Sequence, residues 1–452
     1  MSMATVDPQV EASITAWRTD VSRTPAIRAD DVAELESHLR DQMDALMTSG
    51  LSAAEAFTIA RGRIGSASAV SSEYAREHGD RLWGQLPAAA EESLPWRDRF
   101  LPALVIGVVA ALILRLLALM DTGFLEGTFL VRIAPVVLAA AVATYFLIRR
   151  RPRPMIIVAT VVLLALPAAF ALGYPFQMRG DSVIVAFLHQ PVALWLAVGL
   201  AYVGDDWREA RPRMDFIRFS GEWFIYCTLM ALGMGVLAGI TLIVFSVLGV
   251  DIADVIGPWA AAVFIGIAPL VAAWLVETKK GVLENIAPVL AKIFTPLFTL
   301  LLGGILIAVL VQAGTVAGSR ELLLVIDVLL LVVIGLVLYT QSARDPQAPA
   351  GWFDRLQLVM VALALLVDAF VLIVMFVRAG DDYGFTANRV AALGVNIVLL
   401  VNLAGAGWFM LRLATRHGRF TALERWQTGY LPVYLSWALF AIIVLPPVFG
   451  FA

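Results

Sequence analysis

From residue 100 to the C-terminus, the chain alternates between long apolar runs and short polar loops. A helix needs about 20 residues to cross the roughly 30 Å hydrocarbon core of a bilayer. Eleven runs meet this length, and they lie near residues 100–120, 129–148, 155–173, 183–203, 221–248, 256–276, 293–313, 322–341, 356–377, 390–411 and 430–451. The pattern predicts an all-α polytopic transmembrane helical bundle, whose segments are called spans 1 to 11 in chain order.

The first 99 residues are more polar, and their apolar positions recur at the spacing of short amphipathic helices. Two such stripes begin the chain, with the members Val10, Ile14, Trp17 and Val21, then Val32, Leu35, Leu39, Met43 and Leu46. Narrow stripes bury little apolar area. We therefore expect a small cytoplasmic helical domain over residues 1–83 whose own core is marginal.

Local signals divide this domain into four helices. Ser52 and Glu55 form a capping-box pattern, in which each side chain can satisfy a backbone N–H of the other. The helix that begins there is predicted to end at Gly65, and a fourth helix at Gly79. Residues 84–99 contain two prolines and an alanine–glutamate string, which predicts a linker to the membrane domain at residues 100–452.

Residues 34–74 read ELESHLRDQMDALMTSGLSAAEAFTIARGRIGSASAVSSEY. The ELxxHL start, the GLSxxEAF turn and the IG break resemble the permease-prefix domain, a helical domain that precedes membrane regions in bacterial permease-like proteins. The same domain type occurs in membrane signalling proteins encoded beside PadR-type repressors. The resemblance implies a docking or regulatory module that contacts a cytoplasmic protein partner; the alternative is an aid to folding or insertion.

The segment 291–312, AKIFTPLFTLLLGGILIAVLVQ, resembles an uncharacterised family of many-span bacterial membrane proteins. Neither resemblance supplies a catalytic residue. The chain differs from ABC-type permeases, which have few spans and a large extracellular domain, because all of its predicted outer loops are short.

Composition agrees with the spans and narrows the chemistry. The chain is 60% apolar and 15% charged, whereas soluble domains are about 45–50% apolar and 25% charged. The net charge is only −3, and the basic residues are spread over separate loops and do not form one basic stripe. No nucleic-acid partner is therefore expected. Cys227 is the only cysteine, which excludes disulfides and thiolate metal sites. Without a hydrolase or HExxH motif, we expect no enzyme, metal or cofactor.

The basic residues in the short loops predict the orientation. With the N-terminus inside, the inner loops hold seventeen lysines and arginines and the outer loops hold four. This asymmetry predicts a cytoplasmic N-terminus and an outer C-terminus. Arginine outnumbers lysine thirty to three, a composition typical of GC-rich bacterial genomes, so the expected location is the bacterial inner (plasma) membrane.

Several ionisable and amide side chains fall inside the spans. An ionisable group near a helix centre costs on the order of 2.5–3.5 kcal/mol and usually faces a protein interior or a watery cavity. The candidate ligand or ion-pocket residues are Asp368, Arg115, Arg132, Asp327, His189, Asn396 and Asn402. Because two arginines balance two aspartates, we expect an outward-facing pocket between spans 1, 2, 8 and 9, with the arginines opposite the aspartates.

A simpler interpretation stays open for Arg115, Arg132 and Asp327, because each can snorkel to the outer headgroups. It does not suit Asp368, whose short carboxyl lies at mid-depth. His189 alone is more typical of a hydrogen-bonded structural histidine than of a proton relay.

Prolines predict two interrupted helices of the kind found at transporter binding sites, at Pro191 in span 4 and Pro269 in span 6. Ordinary membrane helices also contain proline. Gly235 and Gly239 form a GxxxG face, expected to pack inside the bundle rather than to dimerise.

Tryptophans border the arginine-containing loops 204–220 and 412–429. Arginine beside Trp207, Trp223 or Trp426 is the usual interfacial anchor. A phospholipid-headgroup site is the alternative.

Two functions compete. The first is a membrane-embedded sensor or regulator whose head relays a signal to a partner. The second is a secondary transporter or permease for a small solute, ion or lipid. Asp368, the prolines and the span number favour transport, whereas spans 1–5 show no convincing repeat in spans 6–10. The prefix resemblance favours sensing.

Overall fold

The computed structural model describes residues 8–22, 29–48, 51–64, 96–120, 129–177, 180–278, 283–344, 350–379, 384–415 and 417–451. The chain divides into two compact units, Met1–Ser93 and Leu94–Ala452. We call the first the head and the second the membrane unit.

The described part of the head contains the helices α1 (Pro8–Ser22), α2 (Ala29–Thr48) and α3 (Ala53–Ile64). Their apolar stripes meet in a core of Val10, Ile14, Trp17, Leu39, Met43, Ala56, Phe57 and Ala60. The helix predicted to end at Gly79 lies outside the described residues. Residues 84–95 of the predicted linker also lie outside them. Residues 96–99 form the first turn of the span 1 helix.

Polar contacts fix the helix ends and faces of the head. The predicted capping box is confirmed, because the Ser52 backbone N–H donates to Glu55 Oε2 at 3.1 Å and the Ser52 hydroxyl lies 2.6 Å from the same oxygen. These bonds lower the pKa of Glu55. Between α1 and α2, Arg40 donates two hydrogen bonds to the Glu11 carboxylate, which lowers the pKa of Glu11. Arg40 also bonds Glu36 at 2.9 Å.

The membrane unit is a polytopic bundle in which eleven helices of the described residues are long and apolar enough to cross a membrane, as predicted. Spans 1 to 10 belong to the helices Trp96–Met120, Phe129–Arg150, Pro154–Gly173, Asp181–Val203, Ala210–Val247, Ala253–Thr278, Leu283–Gly318, Arg320–Ser342, Trp352–Ala379 and Ala387–Ala414. Span 11 consists of the consecutive helices Phe420–Gly429, Leu431–Ile443 and Leu445–Val448.

Three spans begin about ten residues earlier than the sequence predicts. Span 7 begins at Leu283 rather than near residue 293. Span 5 begins at Ala210 and is 38 residues long. At 1.5 Å per residue this is about 57 Å, well beyond the bilayer core. Most of the predicted loop 204–220 is therefore helical. Span 11 likewise begins at Phe420 rather than near residue 430, and its polar first helix is followed directly by the apolar one.

The spans pack into two groups. Spans 1 to 6 surround one apolar core that includes Tyr145, Phe146 and Leu270. Spans 7 to 10 and the start of span 11 surround a second core that includes Leu330 and Met360. Span 4 joins the groups through its contacts with spans 10 and 11, and span 5 through its contacts with span 8.

The proline-bearing helices are continuous, so the predicted interruptions at Pro191 and Pro269 are wrong. The Pro269 carbonyl accepts a hydrogen bond from Trp223 Nε1 at 2.9 Å. Gly266, one turn earlier, serves close packing. A Cβ there would lie 2.5 Å from the backbone nitrogen of Ala111 in span 1.

The GxxxG face of span 5 does not pack inside the bundle as expected. A Cβ at Gly235 or Gly239 would meet no atom within 4 Å. In the described structure the most apolar window of span 5 has none of its residues buried. This face is therefore available to surrounding lipid.

Candidate functional site: an acidic pocket at one end of the bundle

The site starts from a direct contact between spans 8 and 10. Asn396 Nδ2 donates to Asp327 Oδ1 at 3.1 Å and to the Ala392 carbonyl at 3.0 Å. The same amide nitrogen lies 3.7 Å from the sulfur of Met375 in span 9. Asn396 is fully buried. Its bond to the preceding turn of span 10 fixes the amide, and the amide in turn orients the Asp327 carboxylate.

Asp327 forms part of the wall of a cavity of about 290 Å³. The cavity lies where span 8 begins, span 9 ends and span 10 begins, with the first residue of span 4 at its side. Its polar lining residues are Asp181, Asp327, Arg378, Thr386, Asn388 and Arg389. The pocket therefore combines two carboxylates with two guanidinium groups.

A wider cavity of about 480 Å³ adjoins this pocket. Asp181, Phe385 and Thr386 line both cavities. Gln177 and Phe449 belong to the wider one. The two spaces form one vestibule, and Asp327 lies in the wall of its smaller part.

Asp368 lies deeper in span 9 and is completely buried. Neither carboxyl oxygen has a hydrogen-bond partner among the described residues. It precedes the pocket-lining Met375 by seven residues, which places both side chains on one helix face about 10 Å apart along the axis.

Asn402 in span 10 is a further polar side chain at this depth of the membrane unit. Its side chain is fully buried, and neither amide atom has a partner within the described chain. Its backbone carbonyl accepts from Trp426 Nε1 at 3.1 Å, which ties span 10 to span 11. Measured from the helix ends that surround the pocket, Asp327, Asn396, Asp368 and Asn402 lie about 10 to 22 Å deep. Polar groups thus extend from the pocket to mid-membrane.

The arginines predicted to face these aspartates lie elsewhere, so the predicted pairing is wrong. The Arg115 guanidinium lies 5.5 Å from the centre of the Trp259 ring in span 6. That of Arg132 lies 5.5 Å from the Phe176 ring and 5.9 Å from the Phe187 ring. Both arginines belong to the first packing group, whereas the aspartates belong to the second. Cation–π contacts offset part of their desolvation.

His189 is the remaining predicted candidate, and it is separate from the pocket. Its Nδ1 lies 2.8 Å from the Val185 carbonyl of the preceding turn, which is the structural arrangement expected for a lone histidine. No cluster of three or more potential His, Cys, Asp or Glu metal ligands occurs in the part of the chain that the structure describes.

Sequence reasoning did not identify Asp181, Arg378 and Arg389 as pocket residues. Arg378 and Arg389 were visible as two of the four basic residues on the predicted outer side. Arg389 donates to the carbonyls of Arg378 at 3.1 Å and Gly384 at 2.8 Å, so it holds the connection between spans 9 and 10. Arg378 has no ion pair with a carboxylate among the described residues.

No protein-family model, curated protein or solved structure matches this chain significantly. The chemistry of the pocket therefore rests on its own residues. Asp327 is held in place by an amide and faces a cavity, with a second carboxyl behind it. Such a pocket suits a small solute that carries a positive group toward Asp327 and leaves polar atoms near Arg378 at the rim.

Proposed function

We propose that this multi-span membrane protein is a receptor for a small cationic or zwitterionic solute, which enters the pocket from outside the cell. The observation that carries the proposal is the Asp327–Asn396 pair at the wall of an open cavity, with Asp368 unpaired behind it. No arginine, lysine or histidine forms an ion pair with either aspartate in the described chain. A cationic ligand group would supply that missing charge.

The second part of the proposal is that the head relays occupancy of the pocket to a cytoplasmic protein partner. Two features support it. The head has its own apolar core and its own interhelical ion pairs. Its sequence from residue 34 to residue 74 resembles prefix domains of membrane signalling proteins. The bacterial inner membrane, with the N-terminus inside, is the location that the basic loops favour.

Transport is the second candidate, and the deeper polar groups favour it. Asp368 and Asn402 continue the polar series to mid-membrane without partners in the described structure. Secondary transporters hold substrates and coupling ions at this depth. In that case the same pocket would be the outer entrance of a translocation path.

Solute binding is tested with the full chain in nanodiscs. We expect a panel of ethanolamine, choline, putrescine and glycine to contain at least one ligand by isothermal titration calorimetry. Asp327→Asn should weaken its binding by about tenfold or more, because a charge-assisted contact is worth about 1.5–3 kcal/mol. Asp254→Asn is the matched control, since Asp254 is an exposed acid at the same predicted side.

Equal affinity of Asp327→Asn and the wild type would contradict the proposed site. Experiments with the ligand found in this way then distinguish reception from transport. Reception predicts changed hydrogen exchange in residues 8–64 on binding, without uptake into proteoliposomes. Uptake that Asp327→Asn abolishes would instead establish transport.

Orientation is tested by placing single cysteines in a Cys227→Ala background. We expect Asp206→Cys and Gly418→Cys to be shielded from an impermeant thiol reagent in intact cells, and Asp251→Cys and Phe385→Cys to be labelled. The seventeen-to-four asymmetry of basic residues is the reason. Labelling of the first pair and protection of the second would show that the protein has the opposite orientation.

A further inference from the structure

An extended cavity lies between the two packing groups, and it shares no lining residue with the acidic pocket. Its volume is about 790 Å³, and spans 4, 5, 7, 8 and 11 line it. Most of its walls are apolar, including Phe224, Phe294, Phe298 and Val332. We call this space the inter-group cleft.

A second cavity of about 270 Å³ continues the inter-group cleft toward the predicted cytoplasmic side. The two share Leu196, Phe216 and Leu431. The smaller cavity contains one charged lining residue, Arg213, beside Trp207. The combined space is therefore apolar over most of its length and positively charged at one end.

The guanidinium of Arg213 is held in place but keeps its charge uncompensated. Its Nε donates to the Trp207 carbonyl and its Nη1 to the Thr428 carbonyl at 3.3 Å. Both acceptors are neutral, and no ion pair joins Arg213 to a carboxylate of the described chain. A guanidinium in this state binds phosphate well, because its planar donors match two phosphate oxygens.

Two further polar groups lie between the charged end and the apolar walls. Tyr339 and Tyr434 line the inter-group cleft, and their buried hydroxyl groups have no partner among the described residues. Ser220, next to them in the lining, is about 10 Å along the helix axis from Arg213. The order along the space is thus a cation, then hydroxyl donors, then hydrocarbon.

We propose that the two cavities form a binding site for one phospholipid of the inner leaflet. Its phosphate would contact Arg213, its ester carbonyls would accept from Tyr339 and Tyr434, and its acyl chains would fill the inter-group cleft. The order of chemical groups in the site matches the order in a diacyl phospholipid. Apolar walls inside a membrane protein disfavour water, whereas an acyl chain is as apolar as leucine.

The site lies against both packing groups, so the lipid would hold spans 4 and 5 against spans 7, 8 and 11. The proposed phospholipid site is independent of the solute site, because no residue that lines the acidic pocket also lines the two cavities of the lipid site. Failure of one proposal therefore leaves the other standing.

The test measures retained phospholipid on the full-length protein. The protein in mild detergent is incubated with vesicles of phosphatidylethanolamine and phosphatidylglycerol, washed extensively and analysed by native mass spectrometry. We expect about one retained phospholipid on the wild type. Excess inorganic phosphate should not displace it, because most of the contact is with the acyl chains.

Two variants disrupt opposite ends of the site. Gly335→Leu places a side chain in the inter-group cleft, at a position where a Cβ meets no atom within 4 Å. Arg213→Gln removes the charge, and Arg213→Lys should restore part of the binding. We expect Gly335→Leu and Arg213→Gln each to reduce retention about tenfold or more, which is the loss of a charge-assisted contact for Arg213→Gln.

Gly233→Leu and Arg211→Gln are the matched controls. Gly233 also has open space around its Cβ position but does not line the inter-group cleft, and Arg211 is an exposed arginine near Arg213. Both should retain the lipid. The proposal is overturned if the wild type retains none, if Gly335→Leu retains as much as Gly233→Leu, or if inorganic phosphate displaces the lipid.

Discussion

Replacing Asp368 with valine is expected to stabilise the membrane unit while removing its response to the solute. The carboxyl is fully buried and neither oxygen has a partner in the described structure. A buried polar group without hydrogen bonds costs about 1–3 kcal/mol by mutational measurements. Valine removes that cost at similar volume, so we expect a gain of about 1–3 kcal/mol. Proteins keep such costly groups where function requires them.

Asp354→Val is the matched control on the same helix. Asp354 accepts from Arg344 Nε at 2.9 Å and from the Gly351 backbone N–H at 2.7 Å. Removing this carboxylate leaves Arg344 without that contact, so stability should fall. Thermal unfolding of both variants in nanodiscs measures the opposite signs. If Asp368→Val is destabilised as much as Asp354→Val, then Asp368 has a stabilising partner and the description of the acidic pocket is wrong.

Replacing Gly394 or Gly405 with valine is expected to cause the largest loss of stability. A Cβ at Gly394 would overlap the ring of Trp437, and one at Gly405 would overlap the ring of Trp426. Both contacts join span 10 to span 11. Trp426 cannot retreat without losing its 3.1 Å hydrogen bond to the Asn402 carbonyl. Overpacking a core typically costs about 1–3 kcal/mol and occasionally more, so we expect losses at the upper end.

Gly235→Val tests whether any branched residue is harmful in these helices. A Cβ at Gly235 meets nothing within 4 Å. It should therefore change the melting temperature little, whereas Gly394→Val and Gly405→Val should lower it. Similar melting temperatures for all three variants would show that span 10 does not depend on these tryptophan contacts.

The acidic pocket and the polar groups behind it were predicted in part. Asp327, Asp368, Asn396 and Asn402 were recognisable because a polar side chain inside a long apolar run is costly wherever it lies. Charge balance then favoured Arg115 and Arg132 as partners, and this step failed. Charge balance is a sum over the whole chain, whereas ion pairing requires neighbouring helices.

The sequence by itself determined the number of spans and the capping box at Ser52. A bilayer requires about 20 apolar residues wherever a helix crosses it, and a capping box involves residues only three positions apart. Both depend on local sequence alone. Orientation is also predicted from the sequence, through loop charges.

Only the tertiary structure decided which polar groups meet and where space remains. Asp327 and Asn396 are 69 residues apart in the chain. Their contact depends on which faces of spans 8 and 10 pack together. The inter-group cleft has no sequence pattern of its own, because a cavity is space that five helices leave unfilled. Helix faces are local properties, but helix neighbours follow from the packing of all side chains at once.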